Sequence, residues 1–161
     1  MADLITHSCV AILLKVVTRT PHLATFVLGT CLPDFLGRVP AMGLTVVRWS
    51  APWVPEWTIY LWGPFHMPVG IVLTSFVASF AFPVASRRAA FLNLLGGGML
   101  HIGVDVLQRH FGVGYLLLFP FSEWDWEAGL IGSEDTVFLA PVLALVTVVA
   151  LFRRRAAQDS A

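Results

Sequence analysis

The chain has 161 residues, 57% hydrophobic and only 12% charged, with ten basic and ten acidic side chains and a formal charge of zero. That length suffices for one compact domain. Soluble globules carry about 25% charge, so this balance, with a mean hydropathy of +0.79, argues against an ordinary soluble domain and against a broad nucleic-acid surface.

Residues 4–17 (LITHSCVAILLKVV) predict an apolar helix of about four turns, with Asp3 or Thr6 as its cap and with Lys15 and Arg19 closing it. At ~1.5 Å per residue it reaches about two-thirds across a ~30 Å hydrocarbon layer. The N-terminus lacks the basic start and the small-residue cleavage pattern of a secretory signal, so this segment is expected to remain in the mature protein. Thr20-Pro21 marks a break, and residues 21–37 predict a second helix that Pro33 ends or kinks near Asp34. Cys9 and Cys31 lie in these apolar segments and read as buried thiols rather than a disulfide framework.

Residues 38–63 contain Pro40, Pro52 and Pro55 and crowd Trp49, Trp53, Trp57, Tyr60 and Trp62 together. They predict a surface loop with a short interfacial helix, since such aromatics favour the headgroup region. Residues 64–83 and 89–107 are spanning candidates separated by Arg87-Arg88, and Gly96, Gly97 and Gly98 permit close backbone approach in the second. Residues 110–134 form a second polar-aromatic loop with Trp124 and Trp126, and residues 136–152 are the clearest lipid-facing span, ended by Arg153, Arg154 and Arg155.

The expected architecture is therefore all-α: a single integral-membrane domain, a polytopic bundle of four to five hydrophobic helices with two Trp-rich outer loops. The first segment either crosses fully or is re-entrant. Positive charge favours the cytoplasmic side, which places the C-terminus inside a cytoplasmic (inner) membrane and both loops outside.

This threading brings five residues to similar depth near the outer face: His7, Asp34, His66, His101 and Asp105. His101 and Asp105 are four apart and share a helix face, and Gly103 between them leaves space for a third ligand. Imidazoles with carboxylates suit zinc, and also manganese or iron, as one ion or two. Competing readings are a hydrogen-bonded pair in the bundle core, and ion pairs of Asp34 with Arg38 or of Asp105 with Arg109. A carboxylate left within a membrane costs roughly 2.5–3.5 kcal/mol, so both acids need partners. His22 falls near the inner face and outside the set, and His110 neighbours it. Thr6, Ser8 and Thr30 are candidate hydrogen-bonding supports. Glu123 and Glu134 lie on the site side, and Glu123 is a candidate general base acting through water. Ser133-Glu134-Asp135 reads as a helix cap.

The stretches Thr6-His7-Ser8, Gly29 to Asp34, His66, Leu100 to Asp105 and Leu118-Phe119-Pro120 resemble the YdjM-type family of predicted membrane-bound metal-dependent hydrolases. The resemblance covers residues 4 to about 122. It implies an inner-membrane metal site at His7, Asp34, His66, His101 and Asp105. Two motifs depart from it: Pro33-Asp34-Phe35-Leu36 lacks a second acid, and His66-Met-Pro-Val-Gly70 lacks an arginine and a second histidine. The leading expectation is a metal-dependent hydrolase of an ester or phosphoester, with an amphiphilic, lipid-linked substrate favoured by the aromatic loops. The alternative is a noncatalytic structural or accessory subunit of a larger membrane complex. Membrane lipids are expected partners and nucleic acid is not.

Overall fold

The computed structural model describes residues 4–109, 114–132 and 134–159. The expected caps Asp3 and Ser133, and His110, lie outside the described residues. The described residues are all-α apart from a two-residue parallel pair, β1 (Gln108–Arg109) with β2 (Ile131–Gly132), and an isolated antiparallel bridge between Tyr115 and Trp126.

Helix α1 (Leu4–Thr18) leads into α2 (Leu23–Pro33) through a tight turn in which Arg19 and His22 take left-handed backbone angles. Pro33 does not stop the chain from being helical. A π-helical turn over Asp34–Arg38 follows, with the Val39 amide bonded to the Asp34 carbonyl five residues back. Pro33 has no N–H to give, so the ladder is broken there, and the wider turn absorbs the defect. The chain continues as α3 (Val39–Ser50).

The expected loop over 38–63 is thus largely helical. Pro40 sits in the first turn of α3, where a missing N–H is no loss. None of the α3 residues is buried, and Val39, Met42, Val46 and Trp49 are all exposed. That is the character of a helix lying at an interface. A short α4 (Trp57–Tyr60) and a 3-10 turn (Gly63–His66) lead to α5 (Pro68–Ser79). The segment expected to span 64–83 is therefore shorter as a helix and bent by 75° from the residues before it.

A 3-10 turn at Val84–Ser86 opens α6 (Arg87–Val106). After the second loop, α7 runs over Thr136–Asp159, so Arg153–Arg155 do not terminate it. Among the described residues, two helical stretches, Val84–Val106 and Thr136–Ala156, are long and apolar enough to cross a membrane. The bent α4–α5 pair adds a third if it counts as one span, and α1 is apolar but shorter. Val137, Phe138, Val142, Leu145, Val149 and Phe152 of α7 are exposed, the pattern of a helix whose outer face meets lipid rather than water. Exposed tryptophans occur at 49, 53, 57, 124 and 126.

Helix α6 lies at the centre and packs against α2 and α5, while α7 packs against α1. Glycine makes the α2–α6 contact this close. A Cβ at Gly29 would collide with the Leu94 backbone, and one at Gly97 with Phe26 and Thr30 backbone atoms. Toward the far end of the bundle, Lys15 Nζ donates to Asn93 Oδ1 at 2.7 Å and to the Pro21 carbonyl at 3.0 Å. Those bonds tie α1, α6 and the α1–α2 turn together. Cys9 is buried and Cys31 half-buried, and both are free thiols.

Candidate metal centre

Four separate stretches of chain deliver the site. His7 comes from the second turn of α1, Asp34 from the π turn, His66 from the 3-10 turn before α5, and His101 with Asp105 from the last turns of α6. The antiparallel helix order puts these positions at the same end of the bundle, as the hydrophobic pattern requires. The π turn has a local role: its buried residues are Asp34 and Gly37, so an exposed helix continues from a turn that keeps its carboxylate inside. Gly37 lies against the His66 turn, where a Cβ would come within 3.1 Å of the Trp62 carbonyl.

The five residues form one polar cluster in an apolar bundle. Asp105 Oδ1 is 3.2 Å from His7 Nε2, and Asp105 Oδ2 is 2.9 Å from His66 Nε2 and 3.3 Å from His101 Nε2. His66 Nε2 and His101 Nε2 are 3.0 Å apart. Asp34 Oδ1 lies 3.9 Å from His66 Nδ1 and 4.0 Å from His101 Nε2. The His7 and His101 rings stack with centroids 3.9 Å apart, and the His66 ring meets His101 edge-on. His7 and His101 are wholly buried. Two overlapping groups can hold a metal ion: His7, His101 and Asp105, and Asp34, His66 and His101, which share His101.

The fit to a divalent ion can be tested on these distances. Ligand atoms 2.0–2.2 Å from a tetrahedral zinc lie about 3.3–3.6 Å from one another. The separations here, 2.9 to 4.0 Å, bracket that edge length. Burial supplies a second test. His7 Nε2 and Asp34 Oδ1, both on the cluster, are buried without a satisfactory hydrogen bond among the described residues. A buried polar atom without a partner costs about 1–3 kcal/mol, a cost that an ion bound at the cluster would offset. The donor set therefore fits a divalent metal.

Surrounding groups orient the carboxylates. The Tyr115 hydroxyl donates to Asp105 Oδ2 at 2.7 Å, and Gln108 Nε2 approaches Oδ1 at 3.4 Å. Burial, reinforced by the Asp105 carboxylate, raises the Tyr115 phenol above its ordinary value, so it remains a protonated donor at neutral pH. Tyr115 is held by a two-way backbone bridge to Trp126, with both N···O distances 3.1 Å. The returning loop is pinned to the end of α6, where the Ala128 amide donates to the Val106 carbonyl at 2.7 Å.

Sequence reasoning missed Tyr115 and Gln108. Gln108 follows Asp105 by three residues, a spacing that signals a shared face. Nothing local marks Tyr115, because a loop closure ten residues downstream delivers it. Of the two expected ion pairs, Arg38 Nη1 does lie 3.9 Å from Asp34 Oδ1. Arg109 instead points to the Gly129 carbonyl at 3.5 Å. Gly103 opens no space for a ligand: it is exposed, and a Cβ there would meet nothing within 4 Å. Two residues from His101 is the opposite side of a helix. Ser8 hydrogen-bonds Cys31 Sγ at 3.5 Å, and Thr30 bonds the Phe26 carbonyl at 3.1 Å. Glu123 is exposed and belongs to neither ligand group.

A cavity of about 530 Å³ adjoins the cluster, with His66, Tyr115 and Arg38 on its wall and Trp62, Tyr60, Ile59 and Phe119 making it mostly apolar. No family model matches this chain, and no curated protein or solved structure matches it.

Proposed function

We propose that this chain is a metal-dependent membrane hydrolase acting on an ester or phosphoester at the outer membrane interface. The observation that carries the reading is the convergence of three imidazole Nε2 atoms on the buried Asp105 carboxylate, with the buried Asp34 Oδ1 beside them. His7, His66, His101 and Asp105 are the proposed ligands, and Asp34 completes or bridges the set. Zinc suits three imidazoles with carboxylates, and manganese and iron are the next choices. A divalent ion supplies a Lewis acid and brings the acidity of a water into the neutral range.

The remaining chemistry belongs to the chain. Tyr115 and Gln108 fix the orientation of Asp105, as supporting hydrogen bonds do for ligating carboxylates. His66 links the buried ligands to the adjoining cavity, whose wall it shares. Arg38 sits on that wall within reach of Asp34, offering a cation to an anionic ester. The aromatic and aliphatic lining excludes water and takes an acyl or prenyl chain. Glu123 is not needed for this arrangement. The resemblance to predicted membrane-bound metal-dependent hydrolases supports the same reading and belongs with it. So does the orientation, with the C-terminus cytoplasmic and the site outside, in a bundle of four to five membrane helices.

The complete enclosure of His7 and His101 favours a second reading, in which a metal stabilises a noncatalytic subunit of a larger membrane complex. Hydrolysis separates the two. Purified protein loaded with zinc or manganese is expected to cleave at least one member of a panel of phospholipid, prenyl-phosphate and aryl-ester substrates, and D105A is expected to be inactive. Metal-loaded protein that cleaves none of them, while copurifying with a larger complex at fixed stoichiometry, would decide for the accessory subunit.

A further inference from the structure

At the opposite end of the bundle from the metal centre, a second and larger cavity of about 710 Å³ opens between the α1–α2 turn and the last turns of α7. Leu23, Val148, Leu151 and Phe152 make it largely apolar, while Arg154, Arg155 and His22 lie on its polar side. Arg154 is half-buried and Arg155 is exposed. Lys15 Nζ donates to the carbonyl of the lining residue Pro21 at 3.0 Å.

The position matters as much as the lining. The apolar stretch of α7 runs over Thr136–Ala156, so Arg154 and Arg155 stand where a membrane span meets the headgroup layer. Seven of the ten basic residues (Lys15, Arg19, Arg87, Arg88 and Arg153–Arg155) fall at this end of the antiparallel bundle, with Asp159 the one acidic residue in the same segments. The apolar wall continues along α7 through the exposed Val149 and Leu145 toward the middle of the span.

We infer that this cleft is a binding site for one anionic phospholipid, its phosphate held by Arg154 and Arg155 and an acyl chain laid along Val148, Leu151 and Phe152. Two guanidinium groups suit a phosphate, which they can grip with paired N–H donors. The apolar wall leading away from them suits a chain that a free phosphate lacks, which assigns the cleft to a lipid. A cavity of this size lies within the ~300–1,000 Å³ range of small-molecule sites. The inference is independent of metal binding and of catalysis, since the two sites lie at opposite ends of the helices.

The test is lipid retention in native mass spectrometry of the full chain, released from micelles doped with equimolar phosphatidylglycerol and phosphatidylcholine. The parent is expected to retain one phosphatidylglycerol in preference to phosphatidylcholine. Each arginine near a membrane surface contributes about fivefold in affinity, so R154Q and R155Q are each expected to reduce that preference about fivefold. R153Q, outside the cleft, is expected to reduce it far less. L151W, which fills the apolar arm and keeps both arginines, is expected to lower retention as well. An unchanged helical circular-dichroism spectrum and unchanged elution on size exclusion check that each variant is folded. Equal retention of the two lipids by the parent would overturn the site. So would an equal loss in R153Q, which would show a diffuse charge effect, or a dimer that excludes lipid, which would assign the cleft to a second copy.

Discussion

Asp105 is the residue on which the candidate centre turns. Tyr115 and Gln108 donate to its two oxygens, and the Nε2 atoms of His7, His66 and His101 lie 3.2, 2.9 and 3.3 Å from them. The Tyr115 hydroxyl is the contact that most clearly supports the carboxylate rather than competing for a metal. Y115F is therefore expected to keep the fold and the metal site but to weaken metal affinity by about 10–100-fold, the usual effect of losing such a support. A competition titration against a chelator of known affinity measures this. Unchanged affinity would show that Tyr115 does not orient the carboxylate. At this scale much was legible in the sequence. The four-residue spacing of His101 and Asp105 announced a shared face, and the helix order brought His7, Asp34 and His66 to the same end. Gly103 was misjudged because helical phase at two residues points away from the site, and Tyr115 was invisible because a loop carries it there.

At the scale of elements, the α2–α6 contact sets the geometry on which the centre depends. Asp34 directly follows one of these helices, and His101 and Asp105 lie on the other. Gly97 makes that contact close, whereas Gly103, on the same helix, faces open space. G97A is expected to destabilise the bundle by about 1–3 kcal/mol, the cost of overpacking where backbone cannot yield. G103A is expected to be neutral or stabilising by up to about 1 kcal/mol through helix propensity. Reversible unfolding in mixed micelles compares the pair, and equal effects would contradict the packing described. The aromatic segment after Asp34 shows where sequence reasoning fell short. Pro40, Pro52 and Pro55 suggested a loop, yet Pro40 occupies a first helical turn, and only Pro52 and Pro55 fall between helices. Proline forbids only an interior position that needs its N–H, and which turn it occupies is settled by the surroundings. The segment from Pro68 likewise begins a shorter helix than its hydropathy suggested.

The whole molecule is neutral only in sum. Basic residues gather at the end where α1 and α7 finish, and most acidic residues lie in the loops and turns around the candidate centre. The proposed orientation puts the basic end toward the cytoplasm, the side that positive charge favours. A cysteine placed at Glu123 is accordingly expected to react with a membrane-impermeant maleimide in intact spheroplasts, and one at Ala156 only after permeabilisation, against a background lacking Cys9 and Cys31. The reverse pattern would place the centre inside. At this level the membrane-like character was legible in the sequence, because hydropathy is read directly. The count of spans was not: two helices qualify by length and composition and others are broken or short, since helical continuity depends on packing that hydropathy does not report.

The most direct measurement is elemental analysis of gently purified protein grown with supplemented metal and kept free of chelator, for the parent and the H101A/D105A double variant. At least one zinc, manganese or iron ion per chain in the parent, absent from a double variant that remains folded, is the predicted result. A parent that carries no stoichiometric metal, or a folded double variant that retains it, would contradict the assignment of these five residues as a metal centre.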